Sequence, residues 1–148
     1  MREKGFTLVE VLVVVVIIGI LAAIAVPQYS IILGKARSGE AVTNIGAIRT
    51  SLDRYWYERN DLTEATLPAD GSAGTLDIDN PNAVAVANRL YNYAISSLSG
   101  AGAERAYIIK ATRSKKGVVD PNTWVQWTQT DNNTGKLTRS ANLGGPTS

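Results

Sequence analysis

The chain has no cysteine and no histidine. Without cysteine there is no disulfide framework and no thiol chemistry. Without histidine the commonest general base and metal ligand is missing, and no Ser/His/Asp arrangement can exist. Charge of one sign is scarce too. Fifteen Lys and Arg stand against 13 Asp and Glu, a formal net charge of +2, too small to argue for nucleic acid as the main partner. Enzymatic chemistry thus loses its usual means, and no cofactor is expected. The 148 residues suit one domain plus an extension.

What is present is concentrated at the start. The first ten residues read MREKGFTLVE, and the next sixteen, VLVVVVIIGILAAIAV, carry no charge. Phe6 to Val26 is 21 residues, enough as a helix to cross roughly 30 Å of hydrocarbon. Val and Ile are mediocre helix formers in water. In lipid the backbone must satisfy itself, so helix wins anyway. Arg2 and Lys4 precede the segment and place the bulk of the chain outside, since positive residues stay cytoplasmic. One acid, Glu10, sits at the edge of the run. An ionised group at the bilayer centre costs about 2.5–3.5 kcal/mol on insertion scales. Nearer the edge the cost falls, but it still calls for compensation.

Three readings of this N-terminus compete. A secretory signal peptide would use Ala23-Ile24-Ala25 as a small-x-small cleavage site, yet it leaves Glu10 in the apolar run and Pro27 close to the cut. A plain membrane anchor explains the span but neither Glu10 nor the short polar leader. The third reading rests on resemblance. The stretch KGFTLVEVLVVVVIIGILAAIAVPQY resembles the N-terminus of type IV pilins and related pseudopilins.

The resemblance implies a leader of residues 1–5, cut between Gly5 and Phe6 by a membrane prepilin peptidase, and N-methylation of Phe6. It matches the family's glutamate to Glu10, and its helix-perturbing glycine and proline to Gly19 and Pro27. Between those two positions related filaments are partly unwound, which lets the fibre stretch. Phe6 and Glu10 are four positions apart and share a helix face. The new amine of Phe6 is therefore expected to neutralise Glu10, most informatively on a neighbouring subunit. An unpaired buried charge is strongly unfavourable whereas a paired one is tolerated, so such a pair selects register. The plainer alternatives are that Glu10 sits at headgroup level and that Pro27 is a membrane-exit kink.

Twelve Val, Ile and Leu occupy positions 11–26. Each is worth about 1.5–3 kcal/mol on leaving water, but lipid already hides them. Moving such a helix from bilayer to filament core exchanges one apolar medium for another. An external motor is implied, and the family's assembly ATPase fits that role.

Beyond Pro27, which is expected to kink or break the helix, a helical pattern resumes. Val42, Ile45, Ile48, Leu52 and Tyr55 recur at three- and four-residue spacing, with Arg37, Glu40, Asn44, Arg49 and Asp53 largely between them. This predicts an amphipathic helix that packs on a sheet and ends near Asn60-Asp61. Turn signals follow at Pro68, Asp70-Gly71, Gly74 and Asn80-Pro81, and Asn82 is placed to cap a short helix over 83–90. Strand-like runs occupy 90–96, 106–112, 123–130 and 135–140, the last two joined by Asp131-Asn132-Asn133-Thr134-Gly135.

The fold class is α+β: a long N-terminal helix, first membrane-spanning and then amphipathic, on a roughly four-stranded antiparallel sheet. The segments are leader 1–5, transmembrane and polymerisation helix 6–33, amphipathic helix 34–60, and loop-and-sheet head 61–148. The resemblance implies the same head architecture, but with a frequent C-terminal disulfide that is absent here. Trp124 or Trp127 is expected to pin the sheet instead, and the tail ANLGGPTS reads as loose.

Little else carries chemistry. Asp77-Ile78-Asp79-Asn80 and Asp131-Asn132-Asn133 offer oxygen ligands, but neither completes a recognised calcium loop, so both read as solvated turns. Gly100-Ala101-Gly102 reads as a turn. Lys110, Arg113, Lys115, Lys116, Lys136 and Arg139 cluster on the last strands. They read as a candidate nucleic-acid patch or, more plainly, as a lysine-rich edge that blocks sheet aggregation. Tyr29, Tyr55, Trp56 and Tyr57 read as core and interface residues rather than an electron conduit. Asn132-Asn133-Thr134 matches a glycosylation sequon.

The expectation is a structural subunit, not an enzyme: a homopolymer serving adhesion, twitching motility or DNA uptake. It would begin in the inner membrane with its head outside and end in an extracellular fibre. A type II secretion pseudopilin is the first alternative, which a calcium site in the head would favour. An anchored binding domain that never polymerises is the second.

Overall fold

The computed structural model describes residues 7–68, 74–83, 88–115 and 117–145, apart from the side chains of residues 30 and 31. One helix, α1 (Leu8–Arg59), runs 52 residues without interruption, about 78 Å. Pro27 lies inside it, so of the two expected effects, a kink or a break, the helix shows no break. A proline removes one N–H and hence one rung of the ladder, and the rungs on either side carry the helix through. The helix stops at Asn60, whose left-handed backbone (φ 52°) sends its N–H back to the Trp56 carbonyl at 2.7 Å. Asn tolerates that conformation better than most residues.

The sheet is an antiparallel meander in the order β1 (Tyr91–Ser96), β2 (Tyr107–Lys115), β3 (Val118–Gln129) and β4 (Gly135–Arg139). The β2–β3 hairpin is longer than the sequence alternation suggests. A register shift at Thr112/Arg113 breaks the two-residue period, so the signal fades where the ladder continues. The predicted helix over 83–90 lies partly outside the described residues, at 84–87. Among the described ones Asn82 does different work. Its side chain donates to the Tyr93 carbonyl (3.0 Å) and accepts from the Tyr93 N–H (3.0 Å), so it covers part of the β1 edge.

One face of the sheet buries Tyr91, Tyr93, Tyr107, Ile109, Ala111 and Val125 against Ala41, Ile45, Ile48, Leu52 and Tyr55 of α1. Val42 of the predicted stripe is half-buried beside them. Polar ties fix the far end of this interface. The Tyr107 hydroxyl donates to Asp53 Oδ1 at 2.7 Å. Buried Arg105 lies 3.5 Å from the same carboxylate and donates to the Asn132 carbonyl at 2.7 Å. Arg49 pairs with Asp53 at 3.8 Å and stacks 4.3 Å from the Trp127 ring centre. Burial pushes the Tyr93 hydroxyl up to about 12, partly offset by its bond from Asn44. Burial, reinforced by the Asp53 acceptor, raises Tyr107 as well.

The tail is not loose where it is described. The Ser140 N–H donates to the Trp124 carbonyl (3.0 Å), and the Ser140 hydroxyl accepts from the Trp124 N–H (3.1 Å). Ala141–Leu143 then form a short 3-10 turn that packs on α1, with Leu143 only 2% exposed. The end of the sheet is thus held by the Trp124 backbone and the Leu143 side chain. The Trp127 ring serves Arg49 instead.

Two outcomes follow. Leu143→Ala should cost about 2–5 kcal/mol of head stability, read by thermal unfolding of the full chain in detergent micelles; a loose tail would give no change. Asp131 accepts from the Asn133 and Thr134 N–H groups at 2.8 and 2.7 Å, which hold its carboxyl below the usual range. A depressed carboxylate contributes its full stability above the unfolded value of about 3.9 and loses it as pH falls through the folded one. Asp131→Asn should therefore flatten the acid side of the stability curve below that pH.

Candidate functional site

The first turn of α1 is built around one carboxylate. Thr7 is the N-cap, with extended backbone, and Glu10 is the third helical residue. The Thr7 N–H and hydroxyl both donate to Glu10 Oε2, at 2.9 and 2.8 Å, and the Glu10 N–H donates back to the Thr7 hydroxyl oxygen at 3.3 Å. This is a reciprocal capping box, which satisfies two backbone donors that a helix start otherwise leaves open. The partial positive charge of the helix N-terminus adds to it. The Thr-x-x-Glu spacing ahead of an apolar run was legible in the sequence and is the site feature that the sequence reading missed. Gly5 and Phe6 lie outside the described residues, and so does Lys116.

From this cap to the head, α1 has no packing partner among the described residues. Leu8 is 80% exposed and Val26 68%, and the apolar residues between them are exposed throughout. The stretch is long and apolar enough to cross a membrane. Burial along α1 begins only at Gly34. Gly19 and Pro27 lie inside the exposed stretch.

The predicted basic patch does not form one surface. Lys136 and Thr138 alternate with Leu137 and Arg139. Leu137 packs on the core, which puts Arg139 on the helix-facing side and Lys136 on the opposite one. Lys136 pairs across to Thr128 at the Tyr107 end of the sheet. Lys110 lies over the Trp124 ring at 5.4 Å. Arg113 is carried on β2 beside Asp120, at the end near Gly34, and Lys115 ends the same strand. Of the aromatics, Tyr55 and Trp56 are buried, whereas Tyr29 and Tyr57 are exposed. Asp77 is held by Arg54 at 2.6 Å. Among the described residues no group of three or more acidic side chains gathers as a metal site.

Comparison with known proteins agrees with these features. A family model described as the prokaryotic N-terminal methylation motif matches residues 1–26. A fimbrial protein of Pseudomonas aeruginosa is 40% identical over 68 residues, 46% of this chain. That match spans only 44% of the Pseudomonas protein's length. Fimbrial protein EcpC of Eikenella corrodens is 31% identical over 116 residues, covering 78% of this chain and 69% of its own. The type IV major fimbrial protein FimA of Dichelobacter nodosus is 27% identical over 136 residues, 82% of this chain and 85% of its own. The likeness therefore reaches from the apolar helix into the head. No solved structure matches the chain.

The capping box makes its own prediction. Thr7→Ala removes the side-chain partner of both Glu10 groups and should cost about 1 kcal/mol at the helix start. Hydrogen exchange of the first-turn amides in micelles should speed up accordingly, while exchange in the head stays unchanged.

Proposed function

The chain belongs to the type IV pilin family, and from that premise we propose that it is the structural subunit of a type IV pilus. The observation that carries the reading is the pairing of an apolar half-helix that none of the described residues covers with one carboxylate at that half's edge. Before assembly the half-helix lies in the inner membrane, with the head outside. In the fibre the same surface is covered by the helices of other copies.

Processing by prepilin peptidase falls between Gly5 and Phe6, and Phe6 is then methylated. The released amine of one subunit meets Glu10 of a neighbour, and the match sets the axial register. Because lipid and helix core are both apolar, the transfer gains little from hydrophobicity, and an assembly ATPase supplies the work. Gly19 and Pro27 are the places where the helix yields when packed or stretched, since each weakens the ladder locally. Adhesion, twitching motility and DNA uptake are the roles such a fibre serves. The chain acts in them by polymerising, not by catalysis.

The capping box sharpens the test. Glu10→Gln retains a side-chain carbonyl for the Thr7 donors, so helix start, membrane insertion and head folding should survive. It removes the charge and places an amide donor where the neighbour's amine needs an acceptor. Surface fibres, counted by electron microscopy after shearing, should be lost, as they should in Glu10→Ala. Abundant fibres from Glu10→Gln would sink the charge-pairing account. Mass spectrometry of the mature N-terminus should find methylated Phe6; a chain that still starts at Met1 inside working fibres would sink the processing account.

A further inference from the structure

At the far end of the head Arg49, Arg54 and Arg105 are each paired with a carboxylate of the same chain, while Arg59 stacks on Tyr55 and Lys136 joins no ion pair among the described residues. At the end where α1 leaves the head, Lys35, Arg37, Arg113, Lys115 and Arg139 take part in none of the ion pairs among the described residues. Two acids stand near them. Asp120 pairs across from Arg113 in the sheet, and Glu40 acts together with Arg37, Arg113 and Arg139 on the Tyr91 hydroxyl. The balance stays positive, five against two.

The direction of β2 puts an apolar tip beyond this collar. Tyr107, at the start of β2, bonds Asp53 of α1, whereas Arg113, near its end, reaches the level of Gly34. The strand therefore descends toward the uncovered half of the helix. Past Arg113 the strand runs two more residues to Lys115, about 7 Å. At the turn Val118 is 71% exposed and Val119 41%, beside Lys115. Tyr29 of α1, 66% exposed, stands 21 residues beyond Leu8, about 32 Å along the helix. That matches the hydrocarbon thickness and the level at which Tyr prefers to sit. Lys35 and Arg37 follow six and eight residues on, about two turns.

From this placement the geometry points to a second membrane contact: the β2–β3 hairpin tip, Val118 and Val119 with Lys115, rests in the headgroup layer of an anionic bilayer. Lys35, Arg37 and Arg113 face its phosphates. The contact rests on the reading that α1 spans the bilayer. Two valines beside a lysine are the composition of an element that lies in an interface, and uncompensated basic residues favour an anionic surface by roughly fivefold each. The hairpin holds the head at a fixed tilt on the membrane until the subunit is withdrawn into the fibre.

The absence of native cysteine permits a direct test with the full chain in lipid nanodiscs, where both faces meet water. Single variants Val118→Cys, Tyr57→Cys and Val15→Cys carry an environment-sensitive fluorophore. Discs contain phosphatidylcholine with or without phosphatidylglycerol. In the anionic discs the label at 118 should be quenched by headgroup spin-labelled lipid, and iodide should quench it at least about threefold less than the label at 57. Adding Lys115→Glu should reduce that protection in anionic discs and not in zwitterionic ones. Equal iodide access at 118 and 57, with the label at 15 quenched by lipid, overturns the hairpin contact and leaves the span intact. Protection at 118 that arises only in assembled fibres also overturns it, in favour of a second copy. An unquenched label at 15 removes the span and the contact together.

Discussion

Everything in this molecule depends on the fact that the first half of α1 has nothing to pack against among the described residues. The large apolar residues whose side chains are described between Leu8 and Ile32 are 47–80% exposed. At about 25 cal/mol per Å² of apolar surface, water is not a tenable solvent for such a stretch. Some other apolar medium must cover it, either lipid or the helices of sister subunits. These two media are nearly equivalent for Val, Ile and Leu, because lipid tails are as apolar as a packed core. What separates them is polar, and the polar inventory at this end of the molecule is short: Thr7, Glu10 and whatever amine faces them.

The head meets a different problem. It must stay on the helix without a disulfide, using a sheet that is buried on one face only. The solution is a two-point attachment. At one end Asp53 accepts from Tyr107 and sits within reach of Arg49 and Arg105. Each tie alone is modest, but a removed partner would leave a half-buried carboxylate or a buried guanidinium unpaired, which is the costly case. At the other end Leu143 seals the sheet against α1. Between them the tyrosines and β-branched residues of alternate strand positions fill the interface. Since the sheet grips only the second half of α1, a force on the head is transmitted straight into the uncovered half.

The parts that the sequence made legible were those with local signals. A period of 3.6 residues over 42–55 and of two over 91–96, 107–111 and 125–129 places the correct residues in the core, because burial on one face imposes those periods directly. The misses share one cause, which is information carried by another segment. The bulge at Thr112/Arg113 hides the hairpin extension. Asp53 and Arg105 are 52 positions apart, so no window sees both. Leu143 sits in a stretch of Gly, Asn, Pro and Ser that reads as loose until a helix from the other end of the chain covers it. The basic residues were grouped by proximity in sequence, whereas strand alternation sends Lys136 and Arg139 to opposite faces. Thr7 was different: its spacing to Glu10 was in plain view.

That capping box bears on how a carboxylate can serve a membrane and a fibre in turn. Both Thr7 donors converge on Glu10 Oε2, and among the described residues Oε1 accepts no hydrogen bond. An ionised carboxylate offers about four acceptor positions on its two oxygens, so the cap uses only one side of it. In the bilayer the capped acid carries two donors and the helix N-terminus with it, and its desolvation is partly met before any partner arrives. In the proposed pairing a neighbour's amine would not need to evict Thr7, since it could take the oxygen the cap leaves open. The incoming charge then adds to a network already oriented by the helix, with little side-chain entropy left to lose. A pair made this way is discriminating, because a subunit offset by one helical turn, about 5.4 Å, would present the open oxygen to hydrocarbon instead. On the proposed pairing, selectivity for register would reside less in the strength of the ion pair than in the cost of leaving one prepared oxygen empty in an apolar core.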